Sequence, residues 1–459
     1  MIALMIGVGK RFSRSEIGRV VIRWTIWFFL FAGLFLGLAV SVHGNMINDD
    51  IGWAVHNGWA DVHPALHAAD NSWIAKGYGM SHAEWLSDVI FYGITRRWGF
   101  EGLRLFGFVA FIVLLWLTLR RSQKSGGFKG VLLAVCGYAL LVALGIVDRS
   151  QVFTYVFLAL YLLWWDRSMW RWLVLVPLWA ALHGGYMLFF PLFVVDRWFL
   201  RRYKEWWLIP GIALLIVLTS PAHGWALVYP FVGLTTSVNH YISEWQPYTF
   251  EGIQMTAAGL WTVWVTVKSW PHWDQRRKFW FVVFALLAAH SVRNIPLLGI
   301  YLLLEMHYER KEKGSKRLVA FVWMGAVLFL YSLYPSFSFF STVDQSAIHV
   351  LIATKEIDKP GYEPMQYADE LSYLGEPIYM DGRTNDWAGL NPPFQRDLFV
   401  PFVNASYNNF PIQSLPGYSR FQFMLVRRRS LLYRELTQMT SEWQKVFVDQ
   451  KAAIYERKS

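Results

Sequence analysis

The feature that most constrains this chain is a series of long apolar runs, many of them followed by a short stretch rich in Lys and Arg. Several runs approach or exceed the roughly 17–25 apolar residues that a helix needs to cross a bilayer. Helices satisfy their own backbone hydrogen bonds within lipid. A composition that is 55% hydrophobic, with 26 Trp among 459 residues, agrees with this class. The sequence therefore predicts an α-helical polytopic membrane protein.

The basic residues indicate which loops lie on which side. The net charge is +11, and Lys and Arg concentrate in short loops, for example at 120–129, 201–204 and 310–317. Cytoplasmic loops carry such an excess, so the charge argues for membrane topology and against nucleic-acid binding. Basic residues between 10 and 23 place the N-terminus in the cytoplasm, ahead of a retained anchor helix. We expect a multi-pass protein of the cell membrane, inner or plasma, in contact with membrane lipids.

The apolar runs predict about eleven transmembrane helices. They are assigned to 24–42, 101–119, 130–147, 151–165, 172–184, 185–199, 206–220, 251–269, 279–291, 295–307 and 318–334. We interpret 82–97 as an interfacial or re-entrant helix within a large first outer loop, 43–100, and 221–250 as a wide external loop. Every loop dense in Lys and Arg then falls on one side. Residues 1–334 therefore form the transmembrane domain.

The last part of the chain, 335–459, has a different character. Turn signals stand at Pro360-Gly361, at Asn391-Pro392-Pro393 and at Pro416-Gly417. Short strands are predicted at 377–380 and 421–426, a helix at 431–439, and a closing hairpin from 446–448 and 453–455. Charge topology places this small α/β domain on the extracytoplasmic side.

The first outer loop carries two groups of polar and aromatic residues. They are Asp49, Asp50 and Trp53, directly after the first apolar run, and His82, Glu84 and Trp85 some thirty residues later. Adjacent carboxylates at the mouth of a membrane helix suggest a reactive loop. The alternative is a solvated loop whose acids only cap a helix.

Further polar residues interrupt or flank the apolar runs at the same outer face. These are Arg149, His183, Glu244 with Trp245, and Arg293. Ionisable groups at membrane depth are functional candidates because their burial in lipid is costly, and their shared face favours one active site. Structural alternatives exist: the arginines can snorkel to headgroups, and His183 can pack where Gly184-Gly185 lets helices approach. Glu244 can pair with an arginine as structure only.

This set of residues suits transfer of a sugar from a lipid phosphate with inversion. Asp50 would act as general base on an acceptor hydroxyl, and the arginines would stabilise the departing phosphate. The chemistry itself requires no cofactor. The only cysteine, Cys136, excludes an internal disulfide and a cysteine metal site. A divalent metal remains possible, since Asp49, Asp50 and Glu84 carry oxygen ligands.

The order of these motifs resembles a bacterial family of membrane proteins related to the GT-C glycosyltransferases, which use polyprenyl-phosphate sugars. Family members carry segments of the type Asp-x-Asp-x-Trp-Trp-His, His-x-Glu-Trp-Leu, Arg-x-x-Pro-Gln, Asn-x-His-Gly-Gly, Asn-Pro-x-Gly, Glu-Trp and Asp-Gly-Arg. The corresponding stretches here are Asn48 to Trp53, His82 to Leu86, Arg149 to Gln151, Leu182 to Gly185, Ser220 to Gly224, Glu244-Trp245 and Asp381-Gly382-Arg383. The chain departs from the pattern at Asn48, where an acid is expected, at Ser220, and after Trp53, which no His follows.

The resemblance implies a GT-C-like fold with a polyprenyl-phosphate-linked sugar donor and a cell-envelope acceptor. We assign Asp50, Asp49, Glu84 and His82 to catalysis, and Arg149, Arg293 and His183 to the donor phosphate. Trp53, Trp85, Glu244, Trp245 and Arg383 are assigned to substrate binding, although Arg383 follows an Asp-Gly turn signal and can simply brace the outer domain.

Two other classes of function remain open at this point. A transporter or flippase of a lipid-linked or anionic substrate would place polar groups near mid-bilayer, often within internal repeats, which we do not find in the sequence. A non-enzymatic membrane scaffold would tolerate replacement of Asp50 and Glu84.

Overall fold

The computed structural model describes residues 51–63, 71–79, 81–82, 84–125, 127–142, 149–167, 169–242, 245–249, 252–307, 343–392, 394–408 and 410–458. The described chain is mostly helical, and a small four-stranded sheet lies near its C-terminus. This confirms the coarse prediction of a helical body followed by a small domain that contains strands. The crossings predicted at 24–42 and 318–334 lie outside the described residues.

The helical body contains eleven helices within these ranges. They are α1 (Ile51–Val62), α2 (Trp85–Ser125), α3 (Gly127–Gly137), α4 (Gln151–Trp164), α5 (Trp172–Leu182), α6 (Phe189–Phe199), α7 (Leu208–Thr219), α8 (Trp225–Thr235), α9 (Gly252–Ser269), α10 (Gln275–His290) and α11 (Ile295–Glu305). A π-helical turn, Tyr138–Val142, continues α3. Inside α2, Gly99 has φ 63° and interrupts the helical geometry.

A helix that crosses a membrane must be both long and apolar. Within the described residues, no single helix has both the length and the apolar character that a crossing needs. Two parts of α2, Trp85–Leu103 and Leu105–Thr118, reach that requirement together across a bend of 72°.

One sequence prediction is wrong for the wide external loop, because α8 occupies its first half. Pro230 lies inside this helix. Pro230 has no N–H to donate to the carbonyl of Ala226, one turn earlier. The hydroxyl of Tyr186 supplies the missing donor and lies 2.6 Å from that carbonyl oxygen. A tertiary hydrogen bond thus lets the helix continue through its proline.

The C-terminal domain combines short helices with the sheet. Its elements are α12 (Gln345–Ala353), β1 (Gly361–Tyr362), α13 (Met365–Leu374), α14 (Thr384–Trp387), α15 (Phe399–Tyr407), β2 (Phe423–Arg427), α16 (Leu431–Gln438), β3 (Trp443–Val448) and β4 (Ala452–Arg457). The strand order is β1-β2-β4-β3, with only the β1–β2 pair parallel. The predictions at 421–426, 431–439 and the closing hairpin are confirmed. The stretch 377–380 forms only an isolated bridge, Ser72 with Ile378.

Buried apolar residues form two cores, and their division does not follow the chain. The first core lies among α2 to α11, with Trp179 and Tyr301 fully buried in it. The second fills the C-terminal domain and also includes Ile51 and Val55 of α1. A Cβ on Gly52 would stand 1.8 Å from the carbonyl oxygen of Asp369, so α1 and α13 touch backbone to backbone. The first loop therefore packs as part of the C-terminal domain.

Candidate functional site

A large cavity lies where several helices of the body end or begin, against the C-terminal domain. Its volume is about 1120 Å³. Non-helical or 3₁₀ segments lie at this level. Residues 149–150 precede α4, residues 183–188 connect α5 to α6, and residues 291–294 connect α10 to α11. The first loop and the segment after α13 close the other side. Polar residues that interrupt apolar runs in the sequence thus meet around one space.

The structure brings most of the described candidate residues to this cavity. Trp53, Glu84, Arg149, His183, Trp245, Arg293 and Arg383 all line it. His82 and Trp85 are described but do not belong to that lining. Asp49, Asp50 and Glu244 lie outside the described residues, so their placement stays a prediction.

Glu84 stands at the centre of a polar network. It lies just before α2, and its Oε2 accepts a hydrogen bond from the hydroxyl of Ser150, the residue before α4. Its Oε1 is 3.4 Å from Nε2 of His183. The segments before α2, before α4 and after α5, which are far apart in sequence, therefore meet at the Glu84 carboxylate.

The protonation of His183 follows from its neighbours. Nδ1 accepts from the backbone N–H of Gly185 at 2.9 Å and contacts the hydroxyl of Thr154 at 2.7 Å. That hydroxyl accepts from the indole of Trp179, so it donates its own proton to Nδ1. In the neutral ring the proton is then on Nε2, which faces Glu84. The pair can hold a substrate hydroxyl or pass a proton between them.

Arg293 and Arg149 both contribute guanidinium groups to the cavity lining. The Arg293 guanidinium lies over the ring of Trp245, 4.9 Å from its centroid. The Gln151 side chain accepts from Arg293 when its amide is turned so that the oxygen faces the guanidinium. Stacking on Trp245 and the hydrogen bonds to the Gln151 amide fix the plane of the guanidinium.

Arg383 is buried in the wall of the cavity and is paired. It makes a short ion pair with Asp381, with Nη2 2.7 Å from Oδ2, and it donates to the side chains of Asn57 and Asn71. Its guanidinium also lies over the ring of Trp387. These contacts join the first loop to the C-terminal domain. The geometry therefore favours the bracing role over substrate binding for Arg383.

His82 and Trp85 lie beside the cavity. His82 has φ 46°, a left-handed conformation, and its Nδ1 is 2.9 Å from Oδ1 of Asp61 on α1. Trp53 does line the cavity, and among the described residues its indole N–H has no hydrogen-bond partner. Trp53 thus offers a donor, while His82 holds the loop to α1.

Two lining carboxyl groups were missed by the sequence reasoning. Asp88 lies four residues after Glu84 and receives only a 3.5 Å contact from the Asn57 amide. That spacing places both acids on one face of a helix, a signal that was available. Asp386 belongs to α14, and no periodicity in its short segment indicated where its side chain points.

Asp386 has an unusual electrostatic environment. Burial raises the pKa of its carboxyl to about 7; Arg383 opposes the rise and Asp381 adds to it. The Asn391 amide donates to Oδ1, while Oδ2 accepts no hydrogen bond within the described part of the chain. Asp386 is therefore a carboxyl that exchanges its proton near neutral pH.

Metal binding has no support from the described side chains. No group of three or more His, Cys, Asp or Glu residues among them is arranged to hold an ion. Asp49 and Asp50, two of the three ligands considered from the sequence, are outside the described ranges.

The segment from Asp381 to Asn391, called the docking segment below, attaches the C-terminal domain to the body. Asn385 donates to the hydroxyl of Tyr229 at 2.9 Å, and Trp225 donates to Asn391 at 3.1 Å. Both partners lie on α8, so the docking segment forms a wall between the first loop and that helix.

Comparison with known protein families, curated proteins and solved structures finds no match to this chain.

Proposed function

We propose that this protein is an inverting glycosyltransferase that moves a sugar from a polyprenyl-phosphate donor to a cell-envelope acceptor at the outer face of the membrane. In this proposal the helical body is GT-C-like and crosses the membrane about eleven times. The observation that carries the proposal is the cavity itself, because its lining combines the arginines Arg149 and Arg293 with the carboxyl groups of Glu84, Asp88 and Asp386. The transfer needs both kinds of group, since cations stabilise the anionic leaving group and a carboxylate accepts the proton of the acceptor hydroxyl.

The outer faces of the helices support placement in a bilayer. Large apolar side chains are exposed at helical spacing: Leu260, Val263 and Val267 on α9, Leu214 and Leu218 on α7, Val174 and Leu178 on α5, and Val282 and Leu286 on α10. The exposed fraction reaches 67% for Leu218 and 66% for Val267. Soluble monomers rarely expose contiguous apolar patches of this kind. Acyl chains are the environment that such stripes fit.

The far ends of the helices support the orientation. Arg276 and Arg277 begin α10, and Arg201 and Arg202 follow the end of α6, away from the cavity. The sequence places these basic residues in the cytoplasm. The cavity then opens toward the extracytoplasmic side, together with the C-terminal domain.

The proposed reaction proceeds by direct displacement. A cavity carboxylate takes the proton of the acceptor hydroxyl as its oxygen attacks the anomeric carbon of the donor. The bond between that carbon and the phosphate oxygen breaks, and the polyprenyl phosphate leaves with the electron pair. Arg149 and Arg293 stabilise the charge on the leaving phosphate. Asp50 remains the carboxylate suggested by the sequence, while Glu84 and His183 hold the reacting hydroxyl in place.

Binding of undecaprenyl phosphate tests the proposal. Arg293→Gln is expected to weaken this binding about tenfold or more, since a charged hydrogen bond contributes about 1.5–3 kcal/mol. Native mass spectrometry of the gently purified protein, titrated with undecaprenyl phosphate, measures the bound fraction. Arg457→Gln, a change in β4 remote from the cavity lining, is the matched control.

Equal undecaprenyl phosphate binding by the wild type and Arg293→Gln would show that Arg293 does not bind the donor phosphate. Retention of bulk phospholipid alone, unchanged by either variant, would favour a transporter or a scaffold.

A further inference from the structure

We infer that Asp386, contributed by the C-terminal domain, is the carboxylate that takes the acceptor's proton in the cavity. The inference rests on the proposed function and assigns its general base to a residue that sequence reasoning did not select. Three of the described carboxyl groups line the cavity: Glu84, Asp88 and Asp386.

Glu84 is already engaged at both oxygens. Ser150 donates to Oε2, and the Nε2–H of His183 faces Oε1. Both oxygens therefore already have a donor beside them. Glu84 therefore suits positioning of a substrate rather than removal of its proton.

Asp88 and Asp386 differ in whether their free oxygen reaches the cavity. Oδ1 of Asp88 has no hydrogen-bond partner among the described residues and is closed off from solvent. Oδ2 of Asp386 also accepts no hydrogen bond from the described residues, but it is not among the closed-off atoms. A substrate hydroxyl can reach only an accessible oxygen. Geometry thus selects Asp386.

The surroundings of Asp386 hold it in place and set its proton affinity. Asn391 fixes Oδ1, and the docking segment is anchored to α8 through Tyr229 and Trp225. Asp386 interacts electrostatically with the titratable and charged groups of Asp381, Arg383, His82, Asp88 and Tyr229. Their balance with burial raises the pKa of Asp386 to about 7. A base works best when its pKa is near the working pH.

The proton balance of the step is simple. The acceptor's O–H bond breaks, its proton moves to Oδ2 of Asp386, and the oxygen's electron pair forms the bond to the anomeric carbon. The proton then leaves to solvent from a carboxyl that is half ionised at neutral pH.

Labelling with dicyclohexylcarbodiimide tests accessibility and protonation together without any sugar substrate. This apolar reagent modifies protonated carboxyl groups that it can reach. We expect Asp386 in the full-length protein to be labelled at about pH 5 and to lose label as the pH rises through about 7. Peptide mapping by mass spectrometry, with Asp386→Asn as the blank, measures the labelled fraction.

Two carboxyl groups of the same domain are matched controls. Burial also raises the pKa of Glu363, to about 8, but Glu363 does not line the cavity. It should stay unlabelled although it is protonated. Glu442 is exposed, so its labelled fraction shows how readily the reagent modifies a carboxyl group at the surface. Absence of label on Asp386 between about pH 5 and pH 9 would overturn the inference.

Transfer from undecaprenyl-phosphate hexoses, assayed with host envelope as acceptor, gives the second arm. Asp386→Asn should lower the turnover rate about 100-fold or more while undecaprenyl phosphate binding is kept, and Asp386→Glu should restore part of the rate. Turnover in Asp386→Asn within about threefold of the wild type would refute the assignment of the base. A wild type that is labelled at Asp386 but transfers no sugar would instead refute the proposed function, leaving the reachable carboxyl intact.

Discussion

His183 owes its orientation to the tight turn that follows it. A Cβ on Gly185 would stand 2.3 Å from the hydroxyl of Thr154 and 2.9 Å from Nδ1 of His183. The neighbouring Gly184 has much more room, with the nearest atom, on Pro230, 3.9 Å away. Only the second glycine is therefore required by packing around the imidazole.

Gly185→Ala is expected to destabilise the protein by about 1–3 kcal/mol, because overpacking pushes His183 and Thr154 apart. Gly184→Ala should change stability little. Thermal unfolding in detergent compares the two variants, and undecaprenyl phosphate binding reports whether the cavity has changed. Equal melting temperatures for both variants would contradict the tight contact.

Glu363 predicts a dependence of stability on pH. Its folded-state pKa of about 8 lies above the ordinary value of 4.5 because it is buried, although the backbone N–H of Tyr379 acts in the other direction. The folded state then binds more protons than the unfolded state between those values, so stability falls as pH rises through this window. At low pH the stabilising effect of the bound proton is complete.

Glu363→Gln keeps the shape and removes the charge. This variant should lose less stability than the wild type between about pH 5 and pH 9, by a few kcal/mol at most. Urea unfolding across this range measures the difference. Parallel pH profiles for the two proteins would show that Glu363 does not titrate as described.

At the scale of elements, α8 shows how a tertiary contact overrides a local signal. Proline and glycine in 221–250 indicate a loop, yet the Tyr186 hydroxyl satisfies the carbonyl that Pro230 leaves without a donor. No pattern within the segment contains this information, because Tyr186 is forty residues away. By contrast, β2 and β4 follow from residues within each strand, since their apolar side chains pack into the domain core.

A double-mutant cycle tests this account of α8. Tyr186→Phe should cost about 1–3 kcal/mol by leaving a buried carbonyl unsatisfied. Pro230→Ala restores an N–H at the right position, so the same Tyr186→Phe change should cost much less in that background. Unfolding free energies of the four proteins give the coupling. A cost of Tyr186→Phe that does not depend on residue 230 would show that the hydroxyl serves another purpose.

For the site as a whole, sequence reasoning could identify polar residues that interrupt apolar runs but not their contacts. Arg149, His183 and Arg293 stood out because charged or titratable groups are costly at such positions. Asp386 did not, because an acid in a polar domain carries no such penalty until the fold buries it. The joint packing of α1 with the C-terminal domain was equally hidden, since Gly52 matters only through Asp369.

The molecule as a whole has two different polar ends. Opposite the cavity, Asp196 is fully buried and accepts from Arg276 at 2.8 Å and from Tyr161 and Trp280. Glu305 pairs with Arg277 at 2.7 Å in the same group. This end is closed by its own ion pairs and hydrogen bonds, whereas the cavity end leaves carboxyl groups and arginines facing open space.

Asp196→Asn should therefore be strongly destabilising, by about 3–5 kcal/mol, because it leaves the buried Arg276 without one of its counter-charges. Glu442→Gln, which removes a partly exposed ion pair with Arg457, should cost less than about 1 kcal/mol. Chemical unfolding compares the two changes. A small effect of Asp196→Asn would mean that Glu305 alone neutralises Arg276.

The position of the docking segment along the chain also orders events during translation. Residues 381–391 leave the ribosome only after every helix from α1 to α11 has been made. Until then the space beside Arg293 has no Asp386 and lacks one of its walls. Under the function proposed here, a nascent protein can therefore enter the bilayer and encounter its lipid donor before it is able to react with it. Activity therefore begins only after the docking segment has been made.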